Sequence, residues 1–326
     1  MKIGFLGCGA MGSIYAGNLT KAHEVYIFDA MPAVCEAVNT TGITIDEPDG
    51  STRVYHPVIA TTDPSTIGEM DIMIVFVKYL FLESALEKCK TMIGPHTIVL
   101  SLQNGIGNYD EIAKVVPEKQ ICCGTTAHGA TNLGPGHSRH TGVGPTNVGT
   151  IKGGHESAEK VAEALRAGGF EVNVQANVMQ LIWHKLFANI AINAITALLD
   201  VTNGTIAENQ HERDLAEKMV REAVAVANAT GCAFDVEAEL KNAFDVALAT
   251  GTNRSSMLQD VTRKGITEIK IINGAVVKEG KAVGVPTPYN EAIVDLILAN
   301  ATSPLTTAAS ATSDIPILGT SVTDYA

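Results

Sequence analysis

Three polar side chains, Lys185, Asn189 and Asn193, recur every four residues inside a stretch whose other positions, Leu186, Phe187, Ile190, Ala191, Ile192, Ile195 and Leu198, are apolar nearly all round. On an α-helix a step of four advances only about 40°, so the three project from one stripe about 12 Å long. An ammonium and two amides left unpaired on a buried helix are costly, so the stripe must face partner groups or a ligand. Burial also lowers the pKa of an amine, which suits it to hand a proton to an oxygen that is gaining charge. The bland alternative is a lysine snorkelling at a helix end and two asparagines bonding a neighbouring helix. A second polar set follows in Asn253, Ser256 and Glu268. The segment opens another helix, on which the separation of Ser256 and Glu268, about three and a third turns, puts both on one broad face. Taken alone, they read equally as a helix N-cap and a surface charge. His184, next to Lys185, points elsewhere on the helix, and Cys122 and Cys123 occupy an apolar, strand-like position; all three read as structural.

A different chemistry opens the chain. Gly7-Cys8-Gly9-Ala10-Met11-Gly12 is a GxGxxG turn placed directly after the apolar run 3–6 and opening a helical segment, the context in which that pattern binds a dinucleotide. Gly7 permits the tight turn, Gly9 lets the backbone approach a pyrophosphate, and Gly12 lets helix and strand pack closely, while the helix N-terminus offers N–H donors. Asp29 ends the second apolar run 22 residues after Gly7 (29 − 7), where a carboxylate can accept both ribose hydroxyls of NAD and would repel a 2′-phosphate. Ala30, Met31, Pro32 and Ala33 supply no base for such a phosphate, so the reading is NAD(H) in preference to NADP(H). Asp29 as a mere strand-end turn residue is the alternative. Lys78 and Asn104 follow two further apolar runs. At strand ends of an open parallel sheet they can contact cofactor or substrate, or be only a solvated lysine and an Asn-Gly turn.

These residues need a frame. Runs at 3–6, 25–28, 72–77 and 98–102 alternate with amphipathic segments, which is βαβ punctuation, and runs apolar at every position suit parallel strands covered on both faces. The predicted fold is α/β, an N-terminal Rossmann-type doubly wound parallel sheet followed by an all-α domain. Residues 120–155 read as short antiparallel strands and turns closing that sheet, with a helix over 155–167 and a strand over 171–175. Beyond 177 the periodicity predicts helices over 178–199, 206–229, 235–249 and 256–281, and another opening at Thr287-Pro288. The expected division is 1–176 for the nucleotide domain, 177–301 for a helical substrate domain and 302–326 for a low-complexity tail.

The length of 326 residues suits about two domains. Thirty-five acidic against 23 basic residues, a formal charge of −12, is the opposite of the footprint that nucleic acid or anionic lipid requires. Six cysteines without a CxxC pair form neither a disulfide framework nor a zinc spacing, so no metal is expected and a reducing cytoplasm fits. The first apolar run has four residues before Gly7, and no signal-peptide core or stretch approaching a bilayer span is expected. Charged residues at 18% leave room for a homodimer interface.

The segments GCGAMG, VKY, LQNG, GTTAHGA, WHKLFANIAINAITAL and above all NRSSMLQDVTRKGITEIKIINGAV resemble the ketopantoate reductase family (2-dehydropantoate 2-reductase), along nearly the whole chain to about residue 300. The resemblance implies a general-acid lysine at Lys185, substrate-binding residues at Asn104, Asn189, Asn193, Asn253 and Ser256, a functional carboxylate at Glu268 and a cofactor-contacting lysine at Lys78. Family members that use NADPH carry a base just after the second strand, where this chain has Asp29-Ala30. The implied reaction is hydride transfer to the C2 carbonyl of 2-dehydropantoate, giving (R)-pantoate for coenzyme A biosynthesis, with Lys185 as proton donor. Glu268 would bond the substrate hydroxyl or orient Lys185. An NAD-dependent D-2-hydroxyacid dehydrogenase acting on branched or aromatic 2-oxo acids is the nearest rival. A non-catalytic NAD-binding sensor is the rival from another class, and would have no use for the Lys and Asn stripe.

Overall fold

The computed structural model describes residues 1–263 and 265–302; the tail expected over 302–326 lies, Thr302 apart, outside them. In chain order the first part comprises β1 (Lys2–Leu6), α1 (Ala10–Leu19), β2 (Glu24–Phe28), α2 (Pro32–Thr41), β3 (Ile43–Asp46), β4 (Thr52–Tyr55), β5 (Ile59–Thr61) and β6 (Ile72–Val75). It continues with α3 (Leu82–Lys88), β7 (Ile98–Ser101), α4 (Asn108–Ala113), β8 (Ile121–Thr126), β9 (Gly129–Gly134), β10 (His137–Gly142), β11 (Thr146–Gly149), α5 (Glu156–Ala167) and β12 (Val172–Val174).

Six of these strands lie parallel in the order β5-β2-β1-β6-β7-β8. Counted along the chain this is 3-2-1-4-5-6, the doubly wound order, whose reversal between β1 and β6 opens a crevice at the strand ends. β11 adds antiparallel to β8, and β12 parallel to β11. β6 and β7 are buried at every position, as their uninterrupted apolar runs require of strands covered on both faces. Separate clusters fill the two faces, one around Phe5, Tyr15, Ile27 and Ile74, the other around Leu6, Phe28, Met73 and Val75.

The remaining part is helical: α6 (Val178–Leu199), α7 (Thr205–Glu208), α8 (Gln210–Ala229), α9 (Val236–Ala249), α10 (Ser256–Thr262), α11 (Asn273–Val283) and α12 (Pro288–Thr302). Side-chain caps start four of them: Asn177 on α6, Asn209 on α8, Asp235 on α9 and Ser255 on α10 each accept a backbone N–H of the first turn, satisfying donors that the helix cannot. α6 runs through the middle, with Trp183, Phe187, Ile190 and Ile195 in the core it shares with α8 and α9. The sequence reading expected no stretch near a bilayer span, yet α6 is long and apolar enough to cross a membrane by length and composition. Its apolar positions are instead spent on packing, two-thirds of the span (67%) being buried inside the protein.

Three expectations are corrected. Residues 120–155 do more than close the main sheet, because β9 and β10 leave it to form a second sheet in the order β4-β3-β10-β9. There β10 pairs parallel with β3. The helix expected over 206–229 is broken at Asn209, which ends α7 and caps α8. The continuous helix expected over 256–281 does not form either. α10 ends at Thr262, with the Gly265 N–H bonded to the Asp260 carbonyl at 2.8 Å, a five-residue closure typical of a helix end. Ser256 and Glu268 therefore share no helix face.

Candidate active site

The crevice at the sheet's reversal holds a cavity of about 400 Å³. Its floor is the glycine turn, Gly9 to Met11; its sides are the ends of β6, β7 and β8, with Lys78, Asn104 and Thr126; its roof comes from the helical part of the chain, with Lys185 on α6, Ser256 and Asp260 on α10, and Glu268 beyond it. A separate cavity of about 290 Å³ between α4, α6 and α11 brings together none of the sequence-predicted site residues.

The turn is built as its spacing requires. Gly7 takes φ +93°, a left-handed conformation that other residues adopt at a cost, and a Cβ on Gly12 would collide with the Gly7 carbonyl oxygen. Above Gly9 a Cβ would meet nothing within 4 Å, so the turn presents open backbone to the cleft. Asp29 stands at the end of β2 and accepts the Cys8 N–H at 2.8 Å through Oδ2 and the Met31 N–H at 2.9 Å through Oδ1. Its carboxylate thus ties the glycine turn to the following segment while keeping lone pairs free for further donors. Burial pushes the Cys8 thiol up to about 12, so Cys8 enters the turn as an inert neutral side chain. The residues fit a dinucleotide: a pyrophosphate can meet the open turn at the start of α1, and ribose hydroxyls can meet Asp29.

On the opposite wall Lys185, half-buried on α6, donates from Nζ to the Thr126 carbonyl at 3.0 Å. Burial pushes its ammonium down to about 8, and the Glu268 carboxylate pulls in the other direction. Glu268 lies just past α10 and receives the Asn104 amide at 3.3 Å. Lys78 crosses from the end of β6 to Asp260 at 2.7 Å and to Glu268 at 3.7 Å. The sequence-predicted lysine of the nucleotide half therefore pairs with acids of the helical half.

Asn104, Lys78, Lys185, Ser256 and Glu268 come together with Gly9, Ala10 and Met11. Asn189, Asn193 and Asn253 do not line this cavity. On α6, Asn193 is two steps of four from Lys185, hence about 80° round and about 12 Å along, and it is buried. Asn253 is exposed in the turn before α10 and lines a neighbouring pocket with Arg254 and Arg263. Ser256 is the first residue of α10, and the capping role falls to Ser255, whose hydroxyl accepts the Leu258 N–H. Asp260, Arg263, Gln103 and His128 also line the cleft and were not singled out from sequence. All four stand inside the segments that carry the family resemblance, Gln103 in LQNG, His128 in GTTAHGA, and Asp260 and Arg263 in NRSSMLQDVTRKGITEIKIINGAV, which is the available signal. Among the described residues no cluster of His, Cys, Asp and Glu is suited to a metal ion.

Such an arrangement can polarise and protonate an oxygen: Lys185 brings an amine into a cavity closed on one side by the glycine turn, and Asn104 and Ser256 add polar groups beside it.

Two family models cover most of the chain: ketopantoate reductase PanE/ApbA over residues 3–153 and ketopantoate reductase PanE/ApbA C terminal over residues 177–301. The 2-dehydropantoate 2-reductase of Halobacterium salinarum is 35% identical over 299 residues, 91% of this chain and 98% of the relative. That of Archaeoglobus fulgidus is 33% identical over 297 residues, 91% and 96%. Among solved structures, D-mandelate dehydrogenase with NADH and anilino(oxo)acetate superposes with a TM-score of 0.86 at 29% identity, covering 92% of this chain and 98% of that one. A PanE/ApbA family ketopantoate reductase from Ralstonia eutropha gives 0.83 at 28% identity, covering 92% and 98%.

Proposed function

This chain belongs to the ketopantoate reductase family, and we propose that it reduces the C2 carbonyl of 2-dehydropantoate to (R)-pantoate, a step toward pantothenate and coenzyme A, with NAD(H) preferred over NADP(H). The observation that carries the reading is the convergence of Lys185 and Glu268 on the same cavity as the glycine turn. A bound nicotinamide dinucleotide supplies the hydride. The chain's own work is to hold the oxo acid and to place the proton. Lys185 donates to the carbonyl oxygen as charge develops there, its ammonium made a readier proton donor because burial pushes it down to about 8. Asn104 and Ser256 bond the carbonyl and carboxylate, and Glu268, held by Asn104 and near Lys78, accepts the substrate's C4 hydroxyl. Asn189, Asn193 and Asn253 would join only through a movement that brings them to the ligand.

The NAD(H) preference rests on Asp29 and on Ala30, Met31, Pro32 and Ala33, none of which can pair with a 2′-phosphate. Functionally we divide the chain at residue 176, with cofactor contacts on 1–176 and the acid on 177–301. A cytoplasmic, homodimeric protein completes the reading, supported by six free cysteines and a low share of charged residues.

A second reading, an NAD-dependent D-2-hydroxyacid dehydrogenase, draws support from the likeness to a D-mandelate dehydrogenase solved with NADH. One panel tests both: turnover of NADH and of NADPH with 2-dehydropantoate and with 2-oxoisovalerate, which lacks the hydroxymethyl group. A site that bonds this hydroxyl should reject the analogue by orders of magnitude in kcat/KM. Equal use of the two acids overturns the first reading, and faster use of NADPH overturns the cofactor assignment.

A further inference from the structure

Lys185 donates to a carbonyl, and that carbonyl is itself held from behind. Thr126 ends β8, and its hydroxyl receives both the Tyr15 hydroxyl of α1 at 2.9 Å and the backbone N–H of His128 at 3.1 Å. The His128 ring lies edge-on to Tyr15 and Phe170 and shares a hydrogen with His140 of β10, Nδ1 to Nε2 at 2.9 Å. His140 in turn meets Glu47, which follows β3, at 3.1 Å from Nδ1 to Oε2. Three titratable groups from the second sheet and the β8–β9 turn thus stand in line and end at the residue that bonds Thr126. His140 is buried and Glu47 half-buried, their side chains 7% and 10% exposed, deeper than a surface ion pair would be.

We propose that Glu47, His140 and His128 form a positioning chain for Lys185, in which the second sheet fixes the Thr126 turn so that its carbonyl holds the amine toward the substrate oxygen. The inference rests on the reading of Lys185 as the proton donor. A hydrogen on His140 Nδ1 is donated to Glu47 Oε2, and the Nε2 of that neutral ring accepts the hydrogen of His128 Nδ1, so the line locks both imidazoles. Burial first, and His140 second, push the His128 imidazole down to about 4, so it stays neutral at any pH where Lys185 titrates. The groups that face the chain are Tyr15 from α1, Tyr55 and Arg53 from β4 around Glu47, the Gly142 backbone beside His128, and Lys185 from α6 through Thr126.

The experiment compares His128→Leu, His128→Asn and Lys185→Ala in the NADH-bound enzyme, reading kcat, KM and the pH at which kcat halves. Asn keeps a polar group near the Nδ1 position. His128→Leu should lower kcat by about tenfold to a hundredfold, a fraction of what general acid catalysis supplies. KM for NADH should stay within about twofold, and the kcat pH midpoint should move. His128→Asn should retain kcat to within about threefold and leave the midpoint in place. If the Leu variant fails to fold, Glu47→Gln serves in its place, with a smaller loss of kcat and the same movement of the midpoint. Unchanged kcat and pH profile in the Leu variant overturn the proposal. An equal loss in Leu and Asn also overturns it, since the ring would then be touching the ligand itself. Normal turnover by Lys185→Ala removes the premise, a failure told apart because it does not depend on the histidine variants.

Discussion

One wall of the cleft is Gly9, Ala10 and Met11 of the glycine turn, which presents mostly backbone and is tied down by Asp29, all within 23 consecutive residues (7 to 29). The helical wall draws Lys185, Ser256, Asp260 and Glu268 from a span of 84 residues (185 to 268) and presents side chains. A site made of backbone tolerates side-chain change where it faces the ligand but not where the chain turns. A site made of side chains depends on the tertiary contacts that bring them together, and on the chemistry of each.

The largest test of that contrast is Lys185→Ala. It should lower kcat by about 10²- to 10⁴-fold, the range of a lost general acid, while NADH titration shows binding unchanged. Near-normal turnover would mean the helical wall is not the proton source. Next comes Gly12→Ala, which forces a methyl against the Gly7 carbonyl. Overpacking of this kind costs about 1–3 kcal/mol, so thermal unfolding should shift downward, and affinity for NADH should fall while catalysis at saturation persists. An unshifted melt would show that the turn has slack.

Asp29→Ala combined with Ala30→Arg should move the NADPH/NADH ratio of kcat/KM by about tenfold or more toward NADPH, a change near 1.4 kcal/mol. Because Asp29 also holds the Cys8 and Met31 N–H groups, affinity for NADH should drop further than lost ribose contacts alone explain. A constant ratio would place the ribose elsewhere. A smaller effect is the pH dependence. The acid form of Lys185 is the protonated one, so kcat for reduction should fall as pH rises through about 8, and alcohol oxidation should rise over the same interval. A flat profile would contradict the proton-donor role. The mildest is Lys78→Met, which removes a half-exposed ion pair with Asp260 worth about 0.2–1 kcal/mol. Stopped-flow release of NADH should quicken by no more than a few-fold.

The contrast also explains what could be read from sequence. The glycine turn, Asp29 and the parallel strands are local patterns with fixed periods, and α6 occupies the expected span 178–199 because its apolar periodicity and the Asn177 cap are local too. The second sheet joins β3 to β10 across some 93 residues, as in the pair Thr44 and His137 (137 − 44), and short polar strands carry no mark of their partner. Helical spacing ties Glu268 to Ser256, but α10 ends at Thr262, so both reach the cleft without sharing a helix face. The pairing of Lys78 with Asp260 and the line from Glu47 to His128 arise only when distant elements meet.

One backbone contact between the halves bears on how the cleft admits its ligands. The Ile106 N–H, just after Asn104, donates to the Ile271 carbonyl at 3.0 Å. Main chain bonded to main chain tolerates little sliding, while the Lys78 ammonium can release Asp260 by rotating about its own flexible stem. The halves thus meet through a main-chain bond at Ile106 and Ile271 and through a side-chain ion pair at Lys78 and Asp260, and only the second can part without a shift of backbone.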